Sequence, residues 1–242
     1  MGLVKGDLEY DVVDRVATIR LNRPQRRNAF TLAMVREWRM RLRAAEEDDD
    51  VSVVVVTGAE DAFCAGIDLA ELQGLEEPLD VVLTEQIHGV ARALQTMTKP
   101  VIAAVRGPAV GAGMDMALMC DLRIADRTAR FCEKYIDVGI LPGDGGAWLL
   151  PRLVGRSRAL HLLWTAQVVT AEQAYEWGLV DLLVPDGELT DAVAELTSTL
   201  LGKPPHLLRK IKSLVRDGTT QDLLSALTAV AVEQRALRRQ SP

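Results

Sequence analysis

Five carboxylates of this 242-residue chain stand in or beside glycine turns: Asp68, Asp115, Glu133, Asp137 and Asp144. A carboxyl at a bend can cap a helix, meet solvent or move a proton. Asp115 follows Gly107-Pro-Ala-Val-Gly-Ala-Gly113, and Asp144 lies inside Pro142-Gly-Asp-Gly-Gly146. A strand that runs through a glycine turn into a helix leaves backbone N–H groups unpaired at the helix start, where the dipole is positive. Such a turn suits a phosphate or a developing oxyanion. Asp115, one turn in, either steadies the helix end or does acid–base work. The loop around Asp144 is freed by glycine without an obvious packing reason.

Other chemistries find less support. His88, His161 and His206 have no His or Cys neighbour in sequence, so each reads as a packed or surface side chain. Cys64 adjoins a glycine turn but has no evident histidine partner, and reads as a small buried thiol. There is no G-x-S-x-G elbow and no P-loop, and the glycines at 107–113 do not fit the G-x-G-x-x-G dinucleotide pattern.

The elements that must position these groups are readable from the apolar pattern. Residues 8–13 and 16–21 are β-rich runs joined by Asp14-Arg15, a hairpin. A polar loop with three arginines follows at 22–29. Thr31 can cap a helix striped with Leu32, Val35, Trp38 and Leu42, whose acidic end at 46–50 reads as solvated. Residues 51–57 form a β-branched run expected to be covered on both faces and broken by Gly58. Asp61-Ala-Phe-Cys-Ala-Gly-Ile-Asp-Leu69 then gives a second strand, glycine turn and helix, like 101–121. Two such units could aim two sets of N–H groups at one point.

Residues 71–78 read as an acidic loop and 79–96 as an amphipathic helix. Strands are expected at 101–105, 122–125 and 180–184, with 130–138 ambiguous. Thr170-Ala-Glu-Gln173 matches a capping box. Helices are expected at 189–201, 206–216 and 221–238. The shift to nearly all helix near residue 200 divides a core at 1–200 from a helical subdomain at 201–242, too small to make a core alone.

A net charge of −6 with 48% hydrophobic residues fits a globular chain and argues against nucleic acid as the main ligand. No apolar stretch approaches the roughly 18 residues of a membrane span, and residues 1–7 lack the basic and apolar regions of a leader. Three cysteines without metal spacing point to reduced thiols and a cytoplasmic setting.

Three separated motifs, in order, resemble the crotonase superfamily of enoyl-CoA hydratases and isomerases. They are Arg23-Pro-x-x-x-Asn-Ala29, Ala62-Phe-Cys-Ala-Gly-Ile-Asp-Leu69 and Ala103-Ala-Val-x-Gly-Pro-Ala-x-Gly-Ala-Gly113. Gly139-Ile-Leu-Pro-Gly-Asp-Gly-Gly146 and Thr170-Ala-Glu-Gln-Ala-x-x-x-Gly-Leu-Val180 extend the likeness over nearly the whole chain. The resemblance implies an α/β fold, a spiral of ββα repeats with a helical C-terminal trimerisation region, assembled as a homotrimer or dimer of trimers. It implies an acyl-CoA substrate that carries its own coenzyme A, with no separate cofactor or metal and no nucleic-acid or membrane partner.

By matching position, the resemblance assigns the Ile67 and Ala112 N–H groups to an oxyanion hole around the thioester oxygen, with Gly66, Gly111 and Gly113 as the sensitive turn residues. It places Arg26 or Arg27 at the coenzyme A phosphates. Backbone around Asn28, Ala29, Ala62 and Ala65 is placed at the pantetheine and adenine, with Asp68 and Leu69 completing the substrate-binding turn. The acids depart from the family pattern. Hydratases of this family use two glutamates; Asp115 falls at the first position and Tyr135 at the second. A phenol with pKa near 10 is a poor base at neutral pH. Asp144 is expected to compensate, with Glu133 or Asp137 as substitutes. The leading expectation is hydration of a 2-enoyl-CoA by Asp115 and Asp144. The alternatives are an enoyl- or dienoyl-CoA double-bond isomerase and a non-catalytic acyl-CoA-binding protein. Residues 74–80 and the Trp148 region are expected to border the acyl pocket.

Overall fold

The computed structural model describes residues 6–240; residues 1–5, which hold most of the stretch read for a leader, lie outside the described residues. The chain begins with the expected hairpin, β1 (Leu8–Val13) and β2 (Val16–Leu21), paired antiparallel. Thr31 then caps α1 (Leu32–Glu47) by accepting from the Met34 N–H at 3.2 Å. β3 (Val53–Gly58) includes Gly58, which pairs with Leu21 rather than ending the strand before it.

Next come α2 (Leu69–Gln73), α3 (Leu79–Val82) and α4 (His88–Thr96), the last two joined by a π-turn over Leu83–Ile87. Part of the stretch read as an acidic loop is therefore helix. Glu71 lies within α2, and its carboxylate accepts from the Leu32 N–H at 2.9 Å. β4 (Val101–Val105), β5 (Pro108–Val110) and α5 (Ala112–Leu118) follow. β6 (Leu122–Asp126) and β7 (Arg130–Cys132) lead to a 3₁₀ turn at Ile136–Val138, which resolves the ambiguous stretch. The remainder is α6 (Gly146–Val154), α7 (Arg156–Thr165), β8 (Val169–Thr170), α8 (Ala171–Glu176), β9 (Leu182–Val184), α9 (Leu189–Leu201), α10 (Pro205–Gly218) and α11 (Leu223–Gln240). The capping box before α8 is complete in both directions.

Strands order as β1-β2-β3-β4-β6-β9 in one sheet, parallel from β2 onward, and β5-β7-β8 in a second. Side chains alternate across a strand, and β3 uses both faces. Val54 and Val56 join the main core with Trp38, Leu42 and Val90, while Val53 and Val55 join a second core under α9. This is why the run is unbroken valine.

The acidic end of α1 is not simply solvated. Glu46 accepts from the Thr98 hydroxyl at 2.6 Å and from the Thr98 and Lys99 N–H groups. The buried Lys99 ammonium donates to the Ala45 and Asp48 carbonyls, closing the last turn of α1. That clamp fixes where β4 begins. Beyond residue 200, α10 is tied to the core by Lys212, which pairs with Asp121 at 2.7 Å and donates to the Lys99 carbonyl. No helix among the described residues is long and apolar enough to cross a membrane.

Candidate functional site

Two glycine turns meet at one cavity. Gly66 has φ +90° and Gly111 has φ +51°, conformations that favour glycine. The first turn is held by a parallel bridge in which the Phe30 N–H donates to the Gly66 carbonyl and the Asp68 N–H donates to the Phe30 carbonyl. Bridge pairing therefore uses the groups on either side of Ile67 and leaves the Ile67 N–H facing away from it. The second turn is fixed by Gly111 N–H donating to the Cys132 carbonyl at 2.7 Å, and the Ala112 N–H then opens α5. A methyl group on Gly66 would lie 3.6 Å from the Ala112 nitrogen, so the turns are in contact. Ile67 and Ala112 both line a cavity of about 170 Å³.

Apart from Lys134, the other walls are apolar. Leu69, Leu72, Leu79, Leu83, Ile87 and Ile140 surround the space. Leu79 is the one member of the expected 74–80 border that lines it. Trp148 lies elsewhere, half exposed beneath Arg152, whose guanidinium stacks 3.8 Å from the ring centre. It lines a neighbouring groove with His88 and Met119, and that groove meets the cavity at Gly143 and Asp144, which line both. α6 turns its Leu150 inward, and Trp148, two residues earlier, cannot share that face.

At the polar end, the Tyr135 hydroxyl stands 2.7 Å from Asp115 Oδ2 and 2.9 Å from Asp144 Oδ2. Tyr135 and Asp144 line the cavity, whereas Asp115 is fully buried behind the phenol. Among the described residues, Asp144 is the one carboxylate on the cavity wall. Glu133 is buried beside Asp115. A methyl group on Gly146 would come within 2.6 Å of Asp115 Oδ1 and 2.9 Å of Glu133 Oε1, so only glycine leaves room for both acids. Asp137 is half exposed and pairs with Lys134 at 3.1 Å, outside this cluster.

Burial dominates the electrostatics. It pushes Asp115 up to about 7 against the Tyr135 hydrogen bond that favours its charge. Burial, then the neighbouring Asp115 and Asp144 charges, pushes Glu133 up to about 10. Asp144 is also raised by burial, with the Tyr135 hydrogen bond and the His88 charge opposing the shift. Tyr135 is driven well above the usual phenol range by burial and the three carboxylates. The Cys64 thiol, pushed up to about 12 by burial, is no nucleophile. His88, read from sequence as a packed or surface side chain, bonds through Nε2 to the Gly143 carbonyl at 2.7 Å and so braces the Asp144 loop from α4. No sequence spacing connects residues 88 and 143.

The residues at 23–29 and 62–68 form one braced surface. Asn28 is buried and its side-chain amide donates to the Ala59 and Ala62 carbonyls, so it ties two loops together. The Ala65 N–H donates to the Arg27 carbonyl and the Ala29 N–H to that of Arg26. Asp68 caps α2 through the Ala70 N–H and pairs with Arg23 at 2.9 Å. Arg26 and Arg27 remain exposed. Among the described residues no cluster of His, Cys, Asp and Glu suits a metal ion.

Residues 12–240 match the family model for enoyl-CoA hydratase/isomerase. The chain is similar to the 1,2-epoxyphenylacetyl-CoA isomerase of Escherichia coli, 36% identical over 93% of this chain and 87% of that protein. It is 35% identical to the crotonyl-CoA hydratase of Syntrophomonas wolfei over 90% of this chain and 84% of that one. A crystal structure of an enoyl-CoA hydratase from Bacillus anthracis superposes with a TM-score of 0.93 at 32% identity, covering 98% of this chain and 92% of the other. The α/β crotonase fold expected from the motifs is the fold observed.

Proposed function

The chain belongs to the enoyl-CoA hydratase/isomerase family, and from that premise we propose that it shifts the double bond of an enoyl-CoA thioester, with Asp144 carrying the proton. The observation behind this reading is that Asp144 is the one carboxylate on the cavity wall among the described residues, while Asp115 is screened by the Tyr135 ring. Hydration by two acids needs both to reach one water, whereas isomerisation needs one group that removes a proton and returns it at another carbon.

In this mechanism the thioester oxygen sits between the Ile67 and Ala112 N–H groups. Their partial charges stabilise the enolate as the proton leaves for Asp144, and losing one such donor costs about 10²–10³ in rate. Tyr135 donates to Asp144 and keeps its carboxylate oriented toward the bound chain. The apolar walls take a hydrocarbon acyl group, and Arg26 and Arg27 meet the coenzyme A phosphates at the exposed mouth.

Hydration stays the second reading, because the family and the relatives above include hydratases. One experiment separates the two. Purified protein is incubated with 2-enoyl- and 3-enoyl-CoA in deuterium oxide enriched in heavy oxygen, and the products are weighed by mass spectrometry. Deuterium in an unhydrated, isomerised product supports the proposal. Heavy oxygen in the product replaces it with hydration. Tight binding with no label in either product would leave an acyl-CoA-binding protein.

A further inference from the structure

A phenol oxygen with carboxyl oxygens at 2.7 and 2.9 Å can donate only one proton, so one of those two carboxyl groups must carry a proton of its own and donate to the phenol. Behind Asp115 the same question recurs. Asp115 Oδ1 and both oxygens of Glu133 are buried, have no hydrogen-bond partner, and crowd the space over Gly146. Two ionised carboxylates do not persist at such a spot, and unpaired buried charge is costly.

Resting on the reading of Asp144 as the proton carrier, we propose that Glu133, Asp115 and Tyr135 form a one-way chain of donors whose single negative charge is at Asp144. Glu133 stays a neutral acid and gives its proton to Asp115 Oδ1. Asp115 is also neutral and donates from Oδ2 to the Tyr135 oxygen. Tyr135 then donates to Asp144 Oδ2, so the end of the chain that faces the cavity is the ionised one. Asp115 is thus a positioning residue, acting through Tyr135, and Glu133 is the positioning residue behind it.

One neighbour opposes a neutral Asp115, the Gly146 N–H that favours its charge, and the others agree. From α4, His88 braces the Asp144 loop and opposes the rise that burial gives Asp144. From the end of β7, Cys132 supplies only a thiol, bonded to the Ala166 carbonyl. Lys134, exposed at the cavity rim, pairs with Asp137, and no cation acts on the buried Glu133 or Asp115. Burial raises all three acids, Asp115 to about 7 and Glu133 to about 10, which favours protons on the two inner ones at slightly acidic pH.

The decisive test counts carboxylic acids directly. Infrared difference spectra of the unliganded protein at slightly acidic pH are compared for Glu133→Gln, Asp115→Asn and Asp144→Asn. The expected result is that the first two substitutions each remove one protonated carboxyl C=O band, while Asp144→Asn removes only a carboxylate band. An acid band lost in Asp144→Asn, or none lost in Glu133→Gln, overturns the chain. Should Asp115→Asn fail to fold, Glu133→Gln and Asp144→Asn decide alone on those same bands.

Turnover supplies the second readout. An asparagine at 115 can donate from its amide to Tyr135 and accept from Glu133, so Asp115→Asn is expected to keep activity within about tenfold with an unmoved acid limb. Asp144→Asn is expected to lose about 10²–10⁴. Equal losses in the two variants would make Asp115 a base and overturn the proposal. Spectra as expected without turnover of any enoyl-CoA would leave the proton chain standing and remove the isomerase reading instead.

Discussion

The two turns that deliver Ile67 and Ala112 share a local plan and differ in what holds them. After Gly66 the chain enters α2, five residues long with none buried. After Gly111 it enters α5, all seven residues of which are buried. The first turn is secured by charge: Asp68 caps the Ala70 N–H at 3.0 Å and pairs with Arg23, which also donates to the Ala29 carbonyl. The second is secured by packing, with Val110 N–H donating to the Cys64 carbonyl and Gly113 pressed against the same oxygen. One amide is placed by contacts that salt and pH can reach, the other by contacts they cannot. Substitutions should therefore act on the two sides in different ways.

The largest effect is expected on the packed side. A Cβ at Gly113 would overlap the Cys64 carbonyl oxygen and crowd the carbonyl carbon and Cβ of the same residue, none of them the far end of a flexible side chain. Gly113→Ala should destabilise the fold by about 3 kcal/mol or more, as overpacked cores do. Chemical denaturation would measure it. An alanine variant of near-native stability would show that the two turns are not in rigid contact.

Gly66→Ala should cost less. Its φ of +90° is strained for alanine, and the added Cβ would lie 2.9 Å from the Val110 carbonyl oxygen. About 1–3 kcal/mol of strain is expected. Because the Ile67 N–H must rotate to relieve it, kcat should fall by about 10²-fold with KM less affected. A loss confined to KM would mean that this amide holds the ground state only.

These packed and charged devices were not equally legible in the sequence. The hairpin, β4 and α9 fall where the apolar pattern puts them, because each is a local run with its own boundaries. The three residues of β5 were hidden inside a glycine motif, and the single-residue bridges from Phe30 to Ile67 and Cys64 to Ala109 have no local period to read. The acids show the same division. Asp115 and Asp144 stand out beside glycines, but the screening of Asp115 by Tyr135 depends on where the 3₁₀ turn after β7 places the ring. Glu46 reads as part of a solvated acidic run, because the partners that hold it stand some fifty residues on.

On the charged side, Asp68→Ala removes both the cap and the ion pair. It should cost about 1–2 kcal/mol, the upper range for losing a helix cap. It should also lower activity several-fold without the collapse expected at Gly113. Activity that survives untouched would make the Arg23–Asp68 pair a surface feature with no hold on Ile67.

Asp68→Asn isolates the charge, since asparagine caps a helix as well as aspartate. A loss of about 0.5–1 kcal/mol at neutral pH is expected for the pair with Arg23, less at high salt. Its pH dependence follows from the direction of the shift. Burial opposes the charge of Asp68, but the Ala70 N–H and Arg23 outweigh it and hold the carboxyl below its ordinary value. A group depressed in the folded state contributes stability above its unfolded pKa, about 3.9, and loses that contribution as pH falls through the folded value. The gap between the parent and Asp68→Asn should thus be constant near neutrality and close below about pH 4. The carboxyl on the packed side, Asp115 of α5, is shifted up rather than down, so the Gly113→Ala gap should not close over the same range. If both gaps closed together, the contrast between a turn held by charge and a turn held by packing would be wrong.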